Sequence, residues 1–230
     1  MASNAKILIL GGFLGSGKTT VLLEIARYMR AHSSKETPVA ILENEIGEVD
    51  IDGASVNSGG YAVKSLFAGC ACCELLGALP DAANEILNDY NPDLLIVEAT
   101  GVAVPSSMAQ ILSAQVHNAV VQTCILVDAS RWKRMRIPLE RLLRGQLESA
   151  DVILINKCDL ADDATIDQAC REALEYAGAA DNAVDDGVDT SAPNGEEEAS
   201  SAPTGVKPVV CVSAQKGISD ADMARIVGKE

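Results

Sequence analysis

The sequence is short of basic residues: 18 Lys and Arg stand against 33 Asp and Glu in 230 residues, a net charge of −15. That balance excludes general affinity for nucleic acid or an anionic membrane, whose phosphates such a surface repels. No stretch approaches the roughly 20 apolar residues that a bilayer-spanning helix needs. The N-terminus also lacks a basic region followed by an apolar core, and Lys6–Leu10 is too short to be one. Together these absences predict a cytoplasmic protein that engages neither nucleic acid nor membrane. Histidine is scarce: His32 and His117 are the only two, and each is read as a surface or structural residue. No internal repeat is visible.

What remains is ordinary globular usage, with 48% hydrophobic and 22% charged residues. The length suits a single α/β domain over 1–230 with a real core and is short for two. Seven cysteines would allow disulfides in a secreted chain. Nothing here suggests secretion, and three of them fall within four residues, a pattern that points to metal or redox chemistry.

Short apolar runs alternate with helical patterns. Strands are expected at Lys6–Leu10, Pro38–Leu42, Leu94–Val97, Thr123–Val127, Val152–Ile155 and Pro208–Val212, with helices near 17–31, 73–88, 106–116, 138–148, 164–177 and 219–227. This rhythm predicts a mostly parallel sheet with helices on both faces. Two segments break it. Gly53–Gly69 reads as a polar loop. Gly178–Val206 holds seven acidic residues and no Lys or Arg, and cannot bury enough surface to order itself, so 178–206 reads as a disordered acidic insertion.

Directly after the first strand comes Gly11-Gly12-Phe13-Leu14-Gly15-Ser16-Gly17-Lys18-Thr19-Thr20, in which Gly12 to Thr19 matches the phosphate-binding P-loop in full. Gly12, Gly15 and Gly17 let the backbone curl so that N–H groups, including those of Ser16 and Thr20, turn toward phosphate oxygens at the positive end of the next helix. Lys18 neutralises β/γ-phosphate charge, and the Thr19 hydroxyl is placed to ligate Mg²⁺. The base is read from Asn156-Lys157-Cys158-Asp159. The Asp159 carboxylate can accept two hydrogen bonds from guanine, which adenine cannot offer in that arrangement. Lys157 would lay its stem on the base plane, and Asn156 would tie this loop to the P-loop. Ser213-Ala214 could offer backbone N–H groups to the guanine oxygen, so GTP is favoured over ATP. A third element, Asp93–Gly101, is a buried strand ending in an acid and a glycine: Glu98 can hold a Mg²⁺-bound water, and Gly101 can let backbone approach the γ-phosphate.

Gly69-Cys70-Ala71-Cys72-Cys73 stands before a helix, where the helix partial charge favours thiolates. Soft thiolates select Zn²⁺, Cu(I) or similar ions over Mg²⁺. The spacing is not that of a closed structural zinc site. The remaining cysteines, Cys124, Cys158, Cys170 and Cys211, are scattered and read as packing residues.

In this order the P-loop, Glu43–Asp52, Gly-Cys-Ala-Cys-Cys, Glu98–Gly101 and Asn-Lys-Cys-Asp resemble the CobW-like GTPases, a group similar to the UreG and HypB metallochaperone GTPases. The resemblance covers 5–162 and resumes at 208–217. It implies a P-loop NTPase fold and hydrolysis of GTP to GDP, coupled to binding or delivery of a Zn²⁺- or Co²⁺-type metal to a client metalloenzyme. The alternative is a gate or reactivator for a corrinoid enzyme. By resemblance Cys72 and Cys73 are the metal thiolates with Cys70 a third, and Glu43 and Glu48 can join the metal site. Lys18, Thr19, Glu98 and Gly101 would carry hydrolysis, slowly, since no arginine finger is identifiable. Nucleotide-dependent homodimerisation is also implied. Only 17 residues follow Ser213, whereas many CobW-like proteins carry a second, C-terminal domain, so a GTPase domain without that second domain is expected, and the chain lacks the His-rich tracts of nickel proteins. Arg131, Lys133, Arg134, Arg136, Arg141 and Arg144 form the only basic cluster, read as a solvated helix face or a dock for an acidic partner.

Overall fold

Alternation along the first strand sets the layers. In β1 (Ala5–Gly12) the side chains of Ile7 and Ile9 are buried on one face of the sheet and those of Leu8 and Leu10 on the other. A strand that is apolar on both faces needs helices on both. The computed structural model, which describes residues 5–45, 55–56, 61–67, 72–178 and 207–228, supplies them. The further strands are β2 (Val39–Glu45), β3 (Ser55–Val56), β4 (Tyr61–Phe67), β5 (Leu94–Glu98), β6 (Ala119–Asp128), β7 (Val152–Asn156) and β8 (Val209–Cys211). They lie in the order β3-β4-β2-β5-β1-β6-β7-β8. Every neighbouring pair is parallel except the two-residue β3, which runs antiparallel to β4. The sheet is thus the mostly parallel one the sequence predicts.

Helix α1 (Lys18–Ala31) and α7 (Asp220–Val227) cover the face of Leu8 and Leu10, packing Val21, Leu22, Ile25, Met29, Met223 and Ile226 against it. On the other face α2 (Cys72–Tyr90) and α3 (Pro105–Gln115) pack Leu79, Ile86, Met108 and Leu112 against Ile7 and Ile9. Further along that face, beyond a 3-10 turn at Ala129–Arg131 and the one-turn α4 (Trp132–Met135), lie α5 (Glu140–Leu147) and α6 (Asp163–Gly178), over Ile125, Val127, Ile153 and Ile155. Local signals set the ends: Pro105 sits in the first turn of α3, and Ser219 caps α7 by accepting from the Asp222 N–H at 3.2 Å.

Each of the six expected strands and six expected helices is there, with β6 starting at Ala119, earlier than Thr123. The polar-loop reading of Gly53–Gly69 is corrected: β3 and β4 lie inside it. β4 is held by pairing along the full length of β2, from Val39 opposite Tyr61 to Glu45 opposite Phe67, which overrides its mixed composition. The acidic segment 179–206 lies outside the described residues. Among the described residues no helix is long and apolar enough to cross a membrane.

Candidate functional site

β1 is the point where the strand order turns: its pairings lead to β5 on one side and β6 on the other. In an open α/β sheet ligands bind beyond the carboxyl ends of strands at such a point, and here the P-loop emerges. Gly17 has φ +100° and a Cβ there would strike the Asn156 amide, so only glycine fits. The helix α1 begins at the next residue, leaving its first N–H groups directed at the loop. Lys18 is buried, and its Nζ donates to the Gly12 carbonyl at 3.1 Å. Burial holds its ammonium below the usual lysine range, and the Glu98 carboxylate opposes that shift.

Thr19 Oγ1 lies 3.5 Å from Glu98 Oε1, so a hydroxyl of the P-loop and the strand-end acid of β5 meet. Glu43 sits opposite Glu98 in the β2–β5 register. A hydroxyl beside a carboxylate, with a second acid at the adjoining register position, is an oxygen donor set that fits Mg²⁺, which keeps several waters and takes few protein ligands. Gly101 follows closely: a Cβ there would come within 2.8 Å of the Leu14 backbone nitrogen, so this loop touches the P-loop directly.

The Asn156–Asp159 loop is tied to the P-loop by one amide and one ammonium. Asn156 Nδ2 donates to the Ser16 carbonyl at 2.9 Å, and its Oδ1 accepts from the Ala214 N–H at 3.0 Å. Asp159 Oδ1 accepts from the Ser213 hydroxyl at 2.7 Å. Lys157, in the left-handed region at φ +62°, donates to the Gly15 carbonyl at 2.6 Å and to Asp128 at 2.9 Å. Gly17, Asn156, Lys157, Asp159, Ser213 and Ala214 thereby line one cavity of about 410 Å³. The described residues of the predicted nucleotide set therefore converge: Gly12, Gly15, Ser16, Gly17, Lys18, Thr19 and Thr20 with Glu98 and Gly101, and Asn156, Lys157 and Asp159 with Ser213 and Ala214.

Two residues belong to this site that sequence reasoning missed. Asp128, buried at the end of β6, accepts from Lys157, from Ser130 at 2.6 Å and from Arg131 Nε at 2.7 Å. Burial pushes its carboxyl up, but the bonds from Lys157, Ser130 and Arg131 outweigh it and hold it below the usual range. Its signal was available: like Glu98, it is an acid at the carboxyl end of an apolar strand. Gln146 of α5 is buried and donates to the carbonyls of Gly101 (3.2 Å) and Ala103 (2.9 Å), fixing the loop after β5. No local pattern announces it.

Of the predicted metal set, Glu48 and Cys70 lie outside the described residues, and Cys72 opens α2 with Cys73 beside it. Among the described residues no group of three or more His, Cys, Asp or Glu side chains is arranged to hold a metal ion. His32 is structural, with Nδ1 2.9 Å from the Tyr28 carbonyl. The basic cluster is partly spent within the fold: Arg131 pairs with Asp128, Arg136 with Glu172 and Arg144 with Glu140.

A mostly parallel sheet with this loop at its turning point defines a P-loop nucleotide-binding protein. More narrowly, the chain belongs to the CobW/HypB/UreG family, whose nucleotide-binding-domain model matches residues 6–183. It is 34% identical over 154 residues to the zinc chaperone YeiR of Escherichia coli K12, covering 66% of this chain and 46% of that protein. Over 169 residues it is 31% identical to the zinc chaperone YjiA of the same organism, covering 69% and 51%. The chain thus spans about half the length of these relatives. The crystal structure of HypB from Helicobacter pylori in complex with nickel superposes with a TM-score of 0.55 at 14% identity, over 98% of this chain and 85% of that one. Zn(II)-bound YjiA GTPase from E. coli superposes at 0.51 with 23% identity, over 74% and 54%. At those identities the likeness is one of fold.

Proposed function

We propose that this chain, as one P-loop domain, binds GTP, hydrolyses it slowly to GDP and phosphate, and couples the nucleotide state to holding and delivering zinc to a client metalloenzyme in the cytoplasm. The observation that carries the reading is the Asn156 amide, which joins the phosphate loop to the loop bearing Asp159. In this reading the carboxylate of Asp159 accepts from guanine while Ser213 holds it in place. Lys18 and the N–H groups at the start of α1 take the β- and γ-phosphate charge. Thr19 and Glu98, with Glu43 beside them, would hold Mg²⁺, whose chemistry is to neutralise charge developing between the β- and γ-phosphates. Gly101, packed on Leu14, gives the γ-phosphate a backbone neighbour.

The metal half is supported by the zinc chaperones among the relatives. Cys72 and Cys73, with Cys70 and the acids Glu43 and Glu48, are the proposed ligands. β2 ends at Glu45, so the chain that runs from Glu43 toward Glu48 starts at the proposed Mg²⁺ site. Loss of the γ-phosphate there changes what this segment can hold, and linkage makes the effect mutual. A GTP-dependent homodimer is part of the proposal; Leu14 and Val102, 70% and 64% exposed at the P-loop rim, are the apolar side chains that favour it.

The test is a zinc titration of wild type and the double variant Cys72→Ser/Cys73→Ser, with GDP and with a slowly hydrolysed GTP analogue. Wild-type affinity is expected to differ between nucleotides and to fall at least about tenfold in the variant. Equal affinity in both proteins overturns the metal half and turns the reading toward a corrinoid-enzyme gate. Asp159→Ala is expected to lose GTP affinity by about 100-fold, and ATP competing as well as GTP in wild type overturns the base assignment.

A further inference from the structure

Cys158, Cys170 and Cys211 are not scattered packing residues. They come from the 3-10 turn after β7, from α6 and from β8, and they meet. The Sγ atoms of Cys170 and Cys211 are 3.4 Å apart. The Cys158 thiol donates to the Ile155 carbonyl, 3.3 Å away, and Cys158 lies within electrostatic reach of Cys211. Cys211 is exposed and the other two are half-buried, whereas Cys124 is sealed in the core, where burial pushes its thiol up to about 12. Three adjoining thiols cannot all ionise, but the first thiolate formed is stabilised by the S–H groups beside it. Cys211 is the exposed one of the three, where solvent best supports that charge. A hydrogen bond from Cys158 foremost, with one from Cys170, holds it below the usual thiol range against burial and the nearby Asp167 and Asp222 carboxylates. Burial first, and then Cys211, pushes Cys170 up to about 12. An accessible thiolate with a neutral thiol in contact is how peroxide-sensing pairs are built, and these three sulfurs are not arranged to hold a metal.

We propose that Cys211 and Cys170 form a peroxide-sensitive dithiol whose oxidation loosens the guanine-recognition loop. The Cys211 thiolate attacks one oxygen of hydrogen peroxide. The O–O bond breaks, hydroxide leaves and takes up the proton released when Cys211 ionised, and Cys211 becomes a sulfenic acid. The Cys170 sulfur then attacks that sulfur, the S–O bond breaks, and the Cys170 proton leaves with the hydroxyl as a second water. Two thiols and one peroxide give one disulfide and two waters. Bonded sulfurs stand about 2.05 Å apart, so the pair must close by roughly 1.3 Å. Cys211 is joined to Val212, whose carbonyl accepts from the Cys158 N–H at 3.1 Å. Next come Ser213, which holds Asp159, and Ala214, which holds Asn156. A pull on β8 therefore reaches the base pocket. The affinity effect rests on the guanine reading above; the disulfide does not.

The experiment uses the full chain with Cys70, Cys72 and Cys73 changed to Ser, treated with hydrogen peroxide and digested without reductant. A Cys170–Cys211 cross-linked peptide is expected, and Cys158→Ser/Cys170→Ser, which removes both neighbouring thiols, should leave a sulfenic acid at Cys211 that dimedone traps. Affinity for a fluorescent GDP analogue should fall about tenfold on oxidation, recover with dithiothreitol, and stay constant in Cys211→Ser. No Cys170–Cys211 linkage overturns the proposal while the GTP reading stands. Linkage without an affinity change overturns the coupling to the base loop. Failure of the reduced protein to bind the GDP analogue at all sinks the guanine reading instead.

Discussion

Asp128 shows how much one side chain can hold together. Its carboxylate collects Lys157 from the base loop and Arg131, whose Nη2 also donates to the Leu14 carbonyl of the P-loop at 2.7 Å. Its pKa is depressed in the fold, so the stabilisation is fully present above the ordinary carboxylate value near 3.9 and is lost as pH falls through the lowered value. Asp128→Asn is expected to cost about 2 kcal/mol at neutral pH. Thermal melts of both proteins between pH 7 and pH 3 should show the gap closing only at the acid end. A gap of the same size at every pH would rule out a charged Asp128 as its source. At this scale the sequence was legible where chemistry repeats a pattern. Lys18, Thr19, Asn156 and Asp159 occupy positions that motif spacing alone assigns, whereas Asp128 and the meeting of Cys158, Cys170 and Cys211 depend on pairings between distant elements.

Among the elements, the strands of the sheet centre were the easiest to read. Val152–Ile155 and Leu94–Val97 are buried on both faces and apolar throughout. β4 was missed because its order comes from β2, and its run Tyr61-Ala62-Val63-Lys64-Ser65-Leu66-Phe67 is interrupted by polar residues after two glycines. α5 was expected, but not what it does. Through Gln146 it fastens the carbonyls of Gly101 and Ala103, beside the P-loop and away from the base pocket. Gln146→Ala leaves those carbonyls without their donor and is expected to cost about 1–3 kcal/mol. Phosphate release should slow severalfold while GDP affinity stays within about twofold, since a mobile γ-phosphate loop harms the reaction more than ground-state binding. An equal loss in both measurements would place Gln146 in general folding and not in this loop.

For the whole molecule, the rim of Leu14 and Val102 and the topology of the sheet make separate demands. If two copies close over their nucleotides, light scattering with Mg²⁺ and a slowly hydrolysed GTP analogue should give twice the mass seen with GDP. Leu14→Asp should keep the protein monomeric by placing a charge in the seam. A monomer with either nucleotide would refute the dimer. The topology has a consequence in time. β1 is flanked only by strands that come much later in the chain, with Ile7 beside Leu95 and Ala5 beside Ala119, and Asn156 waits for Ala214. During synthesis the phosphate loop leaves the ribosome long before the loops around Asn156 and Ala214 can close on it. On the guanine reading, nascent chains halted before Ala214 would hold guanine nucleotide poorly, and chains extended past it would be stabilised by nucleotide through mass action. On that reading, nucleotide would stabilise only chains in which β8 and the turn after it have joined the sheet, long after the phosphate loop was made.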